Sequence, residues 1–163
     1  MKLIYDSVSS EYVYLLSKAD VGRIKGHVHP DIWDAIKHIR FGLSIKSTRA
    51  GRMVKTGKRC YCIRVNFCPR RMEKSLQSPL VCAQKHFLEG VKRYGGKPDL
   101  KTRTIDWSLA DAKRYCYFVL LHEIGHVVYA EVESPGSIYH RSTRAEEDWC
   151  DRYSDRLIKK LGV

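Results

Sequence analysis

The feature that most constrains this chain is the pentapeptide His-Glu-Ile-Gly-His at residues 122–126, inside a long helical pattern over about 109–132. Residues four apart lie on one face of a helix, so His122 and His126 can direct their imidazole nitrogens at one point. Two such nitrogens are half of a zinc site, and the neighbouring Glu123 can reach a water on the ion without binding the ion itself. The pattern predicts a metal-assisted hydrolytic site on a central helix.

A catalytic zinc site usually needs a third protein ligand, which we expect downstream of the motif. A second helix is predicted over about 143–161, because Ser142 can cap it and acidic residues crowd its first turns. On that helix Glu147 and Asp151 are four apart and share a face. Glu146, one residue earlier, and His140, in the preceding loop, remain open as alternative ligands.

This spacing resembles that of the gluzincin group of zinc metallopeptidases, in which H-E-x-x-H is followed by E-x-x-x-D on a later helix. The resemblance implies that Glu147 is the third ligand of zinc (Zn2+) and that Asp151 accepts the other N–H of a ligand histidine. It implies that Glu123 is the catalytic base. It also implies a small zincin-like α+β domain, with a short, mostly antiparallel sheet packed against an active-site helix and a C-terminal helix.

The last third of the chain is also similar to the small intracellular metallopeptidases of the ImmA/IrrE type. Their second helix often reads E-x-x-A-[DN]-x-[FY]-A, and small residues occupy both alanine positions here. The matching residues are Glu147, Cys150, Asp151, Tyr153 and Ser154. This resemblance implies an intracellular zinc-dependent endopeptidase that acts on a protein or peptide.

The length of the chain predicts one domain that spans residues 1–163. The first two thirds of the chain contribute the elements that surround the two motif helices. Two stretches alternate apolar and polar residues, which predicts a hairpin of two strands around a basic, glycine-punctuated turn. The expected elements are strands at 40–48, 59–68 and 101–107, helices at 30–38 and 76–94, a turn at 49–58 and a loop at 22–29. For residues 1–20, a short strand and a helical turn both remain open.

A hydrolase that attacks a carbonyl also needs a donor to the developing oxyanion and a strand that holds extended substrate. Tyr139 and His140, in the loop between the two motif helices, are the candidates for the donor. In zincins an edge strand beside the active-site helix pairs with substrate. The strands predicted at 59–68 and 101–107 are the candidates for that role.

Six cysteines without an export signal predict reduced thiols rather than disulfides. Cys60 and Cys62 lie on one predicted strand face and lack a second close pair, so we expect half-buried thiols rather than a second zinc site. The chain contains no apolar run long enough to span a bilayer and no signal-peptide pattern. We therefore expect a cytoplasmic protein that does not associate with membranes.

Positive charge is concentrated in the predicted sheet region, about residues 37–74. That stretch has twelve Lys or Arg and one acid, a net charge of +11 in a chain of net charge +12. Such a surplus attracts nucleic acid or an acidic partner, although a merely solvated basic surface has the same composition. The alternative to a peptidase is therefore a non-catalytic, zincin-like protein that binds nucleic acid. Glu123 favours the enzyme, because a metal scaffold has no need of that carboxylate.

Overall fold

The structure, a computed structural model, describes residues 1–43, 50–133 and 142–163. Within these ranges the helices are α1 (Lys18–Lys25), α2 (Pro30–Ala35), α3 (Lys85–Arg93), α4 (Leu109–Glu133) and α5 (Arg144–Leu161). The strands are β1 (Lys2–Tyr5), β2 (Ile36–Phe41), β3 (Gly51–Gly57), β4 (Cys60–Val65), β5 (Arg70–Arg71), β6 (Leu76–Pro79), β7 (Lys97–Asp99) and β8 (Thr104–Trp107). The predicted α+β class is confirmed, and so are the bounds of the two motif helices to within about a residue.

The strands of the described residues form two four-stranded sheets, where one short sheet was expected. The first sheet has the order β1-β2-β4-β3, in which β1, β2 and β4 are parallel and β3 is antiparallel to β4. The second sheet has the order β5-β6-β8-β7 and is antiparallel throughout. Among the described residues, pairing is therefore mostly antiparallel, as predicted, but the first sheet is mixed. Parallel neighbours such as β2 and β4 cannot be joined by a tight turn, so the chain passes through β3 between them.

The hairpin of the first sheet consists of β3 and β4, whereas the strands predicted at 40–48 and 59–68 were expected to form it. It joins β3 to β4 through a turn at Arg59, where φ is 48°, so most of the segment 49–58 that was expected as a turn is a strand. Its half-buried positions carry glycine, methionine and lysine rather than branched apolar residues, which concealed the alternation. The strand predicted at 40–48 corresponds to β2, which begins earlier, and residues 44–48 of that prediction lie outside the described residues.

For residues 1–20 the sequence left a short strand and a helical turn open, and the structure has a strand, β1, at the start and the first turn of α1 at the end. The loop predicted at 22–29 is wrong for its first part, because α1 extends to Lys25. The helix begins with a capping box, in which the Ser17 hydroxyl accepts from the Asp20 backbone N–H at 3.2 Å and the Asp20 carboxylate accepts from the Ser17 N–H at 2.8 Å.

Two predicted helices are shorter than expected because their ends are recruited into sheets. The helix predicted at 30–38 ends as α2 at Ala35, since Ile36 and Ile39 join β2 and are fully buried there. The helix predicted at 76–94 begins instead with β6 and becomes helical only at α3. A short apolar run fits either period, so tertiary burial decides between them.

Helix α4 is the central element against which the rest of the fold packs. It begins after Ser108, whose hydroxyl oxygen accepts from the Asp111 backbone N–H at 3.1 Å, as predicted for the cap. The inner face of the first sheet contacts α4 through β3 and β4, and α5 packs along it as well. One continuous core includes side chains from both sheets and from every described helix. None of the helices in the described ranges is sufficiently long and apolar to cross a membrane.

Helix α5 is capped at both ends, by Thr143 and Gly162, and packs very close to α4. Thr143 rather than the expected Ser142 is the N-cap, with its hydroxyl accepting from the Glu146 backbone N–H at 3.3 Å. A methyl group at Gly125, inside the motif, would lie 3.2 Å from Cys150 Sγ and 3.3 Å from Cys150 Cα. The missing side chain therefore allows the first turns of α5 to lie directly against the motif.

Candidate metal centre

Three side chains from α4 and α5 bring one ligand atom each to a common point. His122 Nε2 lies 3.1 Å from His126 Nε2 and 3.1 Å from Glu147 Oε2. The third side of this triangle, from His126 Nε2 to Glu147 Oε2, is 3.6 Å. The structure thus brings together the two histidines of the motif and the carboxylate that the resemblance implied as the third ligand.

The triangle has the size and chemistry that a small divalent metal requires. Tetrahedral zinc, with bonds of about 2.0–2.1 Å, separates neighbouring ligand atoms by about 3.3 Å. The three observed separations bracket that value. Two imidazole nitrogens and one carboxylate oxygen are also a donor set that zinc takes in catalytic sites. His122, His126 and Glu147 can therefore hold a metal ion.

Each histidine uses its other ring nitrogen to contact a carboxylate of α5. His122 Nδ1 is 2.8 Å from Asp151 Oδ1, which is the contact that the resemblance implied. His126 Nδ1 is 2.5 Å from Glu146 Oε1. When Nδ1 donates to a carboxylate, the Nε2 lone pair is left for a metal. Glu146, expected as an alternative ligand, thus lies on the far side of the His126 ring from the triangle and positions that ring.

The sequence contained a signal for this role of Glu146 that its reading as a ligand overlooked. Glu146, Cys150 and Ser154 are four apart, and all three are buried on the face of α5 that meets α4. A single acid on a buried helical face needs a buried polar partner, because an isolated carboxylate is costly to desolvate. The nearest histidine of the motif is that partner.

The carboxylates and the imidazoles shift one another's ionisation strongly. Burial lowers the pKa of His122, but hydrogen bonds with Asp151 and Glu147 outweigh burial and raise that pKa to about 10. The pKa of His126 is raised for the same kind of reason. Hydrogen bonds with the two histidines hold the pKa of Glu147 well below its usual range. The cluster therefore favours positive charge between the two helices, and a metal ion that binds there displaces protons.

Glu123 stands beside the triangle without belonging to it. Its side chain is buried, which raises its pKa, while the two nearby histidines and a backbone hydrogen bond from Met53 oppose the rise. A methyl group at Gly51 would lie 2.5 Å from Glu123 Oε1. Strand β3 therefore passes directly over this carboxylate. A raised pKa makes the carboxylate a stronger base towards water.

The edge strand beside the motif is not one of the two that the sequence suggested. The candidate strands at 59–68 and 101–107 correspond to β4 and β8, and each lies between two other strands of its sheet. Neither has a free edge. In the described residues β3 has only β4 as a strand neighbour, and it is the strand whose Gly51 lies against Glu123.

A second possible metal-binding group lies next to the triangle. His126, Glu146 and Cys150 also lie close enough together to hold an ion. All three are buried, and burial together with nearby acids raises the pKa of the Cys150 thiol, which disfavours the thiolate that a metal needs. The candidate oxyanion donors Tyr139 and His140 lie outside the described residues.

Comparison with known proteins assigns no family to this chain. No family model, no curated protein and no solved structure matches it. The features that bear on its function are the ligand triangle, the carboxylates behind the two histidines, and the buried acid beside them.

Proposed function

We propose that this protein is a zinc-dependent endopeptidase that acts in the cytoplasm on a protein or peptide substrate. The observation that carries the proposal is the triangle of His122 Nε2, His126 Nε2 and Glu147 Oε2, with Glu123 beside it and outside it. A structural zinc site is closed by four protein ligands. In the described residues this site has three, which is the number that leaves a position for chemistry.

The residues around the triangle divide the hydrolytic work between them. A bound zinc ion would supply Lewis acidity, which brings the pKa of water towards neutrality and polarises a carbonyl. Glu123 accepts the proton from the attacking water and returns it to the leaving amine nitrogen as the C–N bond breaks. Its raised pKa suits the first step, because a higher pKa makes the carboxylate a stronger base. Tyr139 and His140 remain the proposed donors to the oxyanion.

The edge of β3 is the surface on which an extended peptide is held in this proposal. Within the described residues its outer side has no strand neighbour, and its backbone passes over the proposed base. An edge strand presents N–H and C=O groups that can pair with another chain. Substrate added there would pair with the strand that carries Gly51 and Met53, both of which contact Glu123.

The proposal is tested by cleavage of a peptide library prepared from a digested proteome, with new N-termini identified by mass spectrometry. Zinc-loaded wild-type protein is compared with Glu123→Gln and with Glu133→Gln, an exposed glutamate of the same helix. We expect new N-termini with the wild type and the control, and at least about a hundredfold fewer with Glu123→Gln, since general acid–base catalysis contributes about 10²–10⁴. Zinc content should be equal in all three. No cleavage by the zinc-loaded wild type, or equal cleavage by Glu123→Gln, contradicts the proposal.

A further inference from the structure

The outer face of the first sheet carries a row of arginines across three adjacent strands. Arg40 of β2 is the register partner of Arg64 of β4, which in turn is the partner of Arg52 of β3. Neighbouring strands lie about 4.8 Å apart, so the row extends over roughly 10 Å. Lys37, the extra residue at a register shift in β2, is also exposed. This set, with Lys2 of β1, is called the arginine face below.

Little of this charge is neutralised within the described part of the chain. Arg40 Nε lies 2.7 Å from Asp6 Oδ1, and Arg64 Nη2 lies 3.6 Å from the other oxygen of the same carboxylate. The single carboxylate of Asp6 therefore pairs with both arginines. Arg52 and Lys37 form no ion pair with any described residue. The arginine face thus has five cations and one acid.

The arginine face lies on the opposite side of the sheet from the metal centre. Alternate residues of β2 and β4 point to the other side, where Ile39, Ile63 and Val65 are fully buried in the core. That inner side contacts α4. A ligand on the arginine face therefore lies on the other side of the sheet from the ligand triangle.

We propose that the arginine face binds the phosphate backbone of nucleic acid without reading its sequence. A guanidinium group matches the geometry of a phosphate, and a row of them needs only a regularly charged partner. In the described part of the first sheet, the outward positions of its four strands carry no phenylalanine, tyrosine or tryptophan. The arginine face therefore offers none of these rings for a base to stack on. Double-stranded DNA, whose bases are already stacked, suits such a surface.

An acidic protein fits the arginine face less well than a nucleic acid. Protein interfaces have an apolar centre in which a few large side chains are buried. The only described apolar side chain that is largely exposed on these strands is Val54 of β3. A phosphate backbone needs no apolar anchor, because its binding comes from release of counterions.

The test measures binding of the full chain to a fluorescent 20-base-pair DNA duplex of random sequence, by anisotropy, over a series of salt concentrations. The wild type is expected to bind at 50 mM salt, with a slope of log affinity against log salt of about −4.5 for five cations. Arg52→Gln/Lys37→Gln removes two cations that form no described ion pair, so folding should be unchanged. This variant should bind at least tenfold more weakly, and its slope should be smaller by about two.

The matched control is Lys159→Gln/Lys160→Gln, which changes the net charge equally in the exposed last turn of α5. It should bind within about twofold of the wild type. Three results overturn the proposal: no binding at 50 mM salt, equal weakening in both double variants, or displacement of the duplex by polyglutamate at the same charge concentration. The last result would assign the face to acidic proteins. Removal of zinc should leave DNA binding unchanged, which separates this proposal from the peptidase.

Discussion

His122 and His126 each use one ring nitrogen for the proposed metal and the other for a carboxylate of α5. The two supports differ in exposure, since the Glu146 side chain is 1% exposed and the Asp151 side chain is 47% exposed. The buried support fixes its ring in a site without competing water, so its hydrogen bond is the less replaceable of the two. Loss of Glu146 should therefore lower the zinc affinity of the site more than loss of Asp151.

Conservative removal of either support should weaken zinc binding without abolishing it. Glu146→Gln and Asp151→Asn keep the shape of the side chain but lose the anionic acceptor, and such changes cost about 10–100-fold in metal affinity. We expect the larger loss for Glu146→Gln. Competition with a chromophoric chelator measures the affinities, and Asp148→Asn, an exposed acid of the same helix, is the control. Complete loss of zinc from a folded Glu146→Gln protein would show that Glu146 is a ligand.

Gly51 should be required for turnover rather than for metal binding. A methyl group there would overlap Glu123 and would also lie 2.8 Å from Val119 Cγ1, so Gly51→Ala must displace the proposed base or the strand. We expect kcat to fall about 10–100-fold, because small misplacements of catalytic groups have effects of that size. Zinc content should not change. Gly57→Ala, where the nearest atom would be at an ordinary 3.7 Å, is the control, and equal activity of both variants contradicts this role.

At the scale of residues, the sequence predicted what a short local pattern encodes. Four-residue spacing on a helix suffices to place His122 next to His126, and a family resemblance suffices to choose Glu147 over its neighbour. Neither pattern indicates which side of an imidazole ring a carboxylate will reach, so these two patterns left Glu146 open as a ligand. Its four-residue spacing with Cys150 and Ser154 was the signal that pointed to a buried partner instead. The contact between Gly51 and the motif joins residues about seventy positions apart, and no local signal encodes it.

The close packing of α4 and α5 is the element-scale feature on which the site depends. Gly125→Ala adds a methyl group 3.2–3.3 Å from Cys150, so α5 must shift by a few tenths of an ångström. That shift moves Glu147 away from the histidines, and we expect at least a tenfold loss of zinc affinity. Gly90→Ala in α3, where no atom lies within 4 Å, is the control and should raise stability by up to about 1 kcal/mol. Unchanged zinc affinity in Gly125→Ala contradicts the dependence on close packing.

The elements that were predicted correctly are those whose own residues determine them. Helices α4 and α5 are long, capped and periodic, so their bounds follow from the sequence. Strand β3 was missed because an edge strand tolerates lysine, arginine and glycine, which resemble a turn in isolation. The parallel pairing of β2 with β4 depends on a crossover, which a local alternation pattern cannot distinguish from a hairpin.

At the scale of the whole molecule, Asp20 links α1 to α4, and its ionisation should appear in the acid stability of the fold. Burial alone would raise its pKa, but hydrogen bonds from Tyr117, Ser17 and Lys113 hold it well below the usual range. A lowered folded-state pKa stabilises the fold above the unfolded-state value of about 3.9, and this contribution is lost as pH falls through the folded-state value. Asp20→Asn should therefore cost about 1–3 kcal/mol at pH 7 and progressively less below about pH 4. Urea unfolding at pH 7 and pH 3 measures this difference, and a cost that does not depend on pH contradicts the role.

The central claim is that three residues from two helices hold one zinc ion, and elemental analysis of the purified protein tests it most directly. The wild type is compared with His126→Ala, Glu147→Ala and the control Asp148→Ala, each checked for folding by circular dichroism. We expect about one zinc per chain in the wild type and in Asp148→Ala, and little in the two ligand variants. No zinc in the wild type even after incubation with zinc, or full zinc in folded Glu147→Ala, would contradict it.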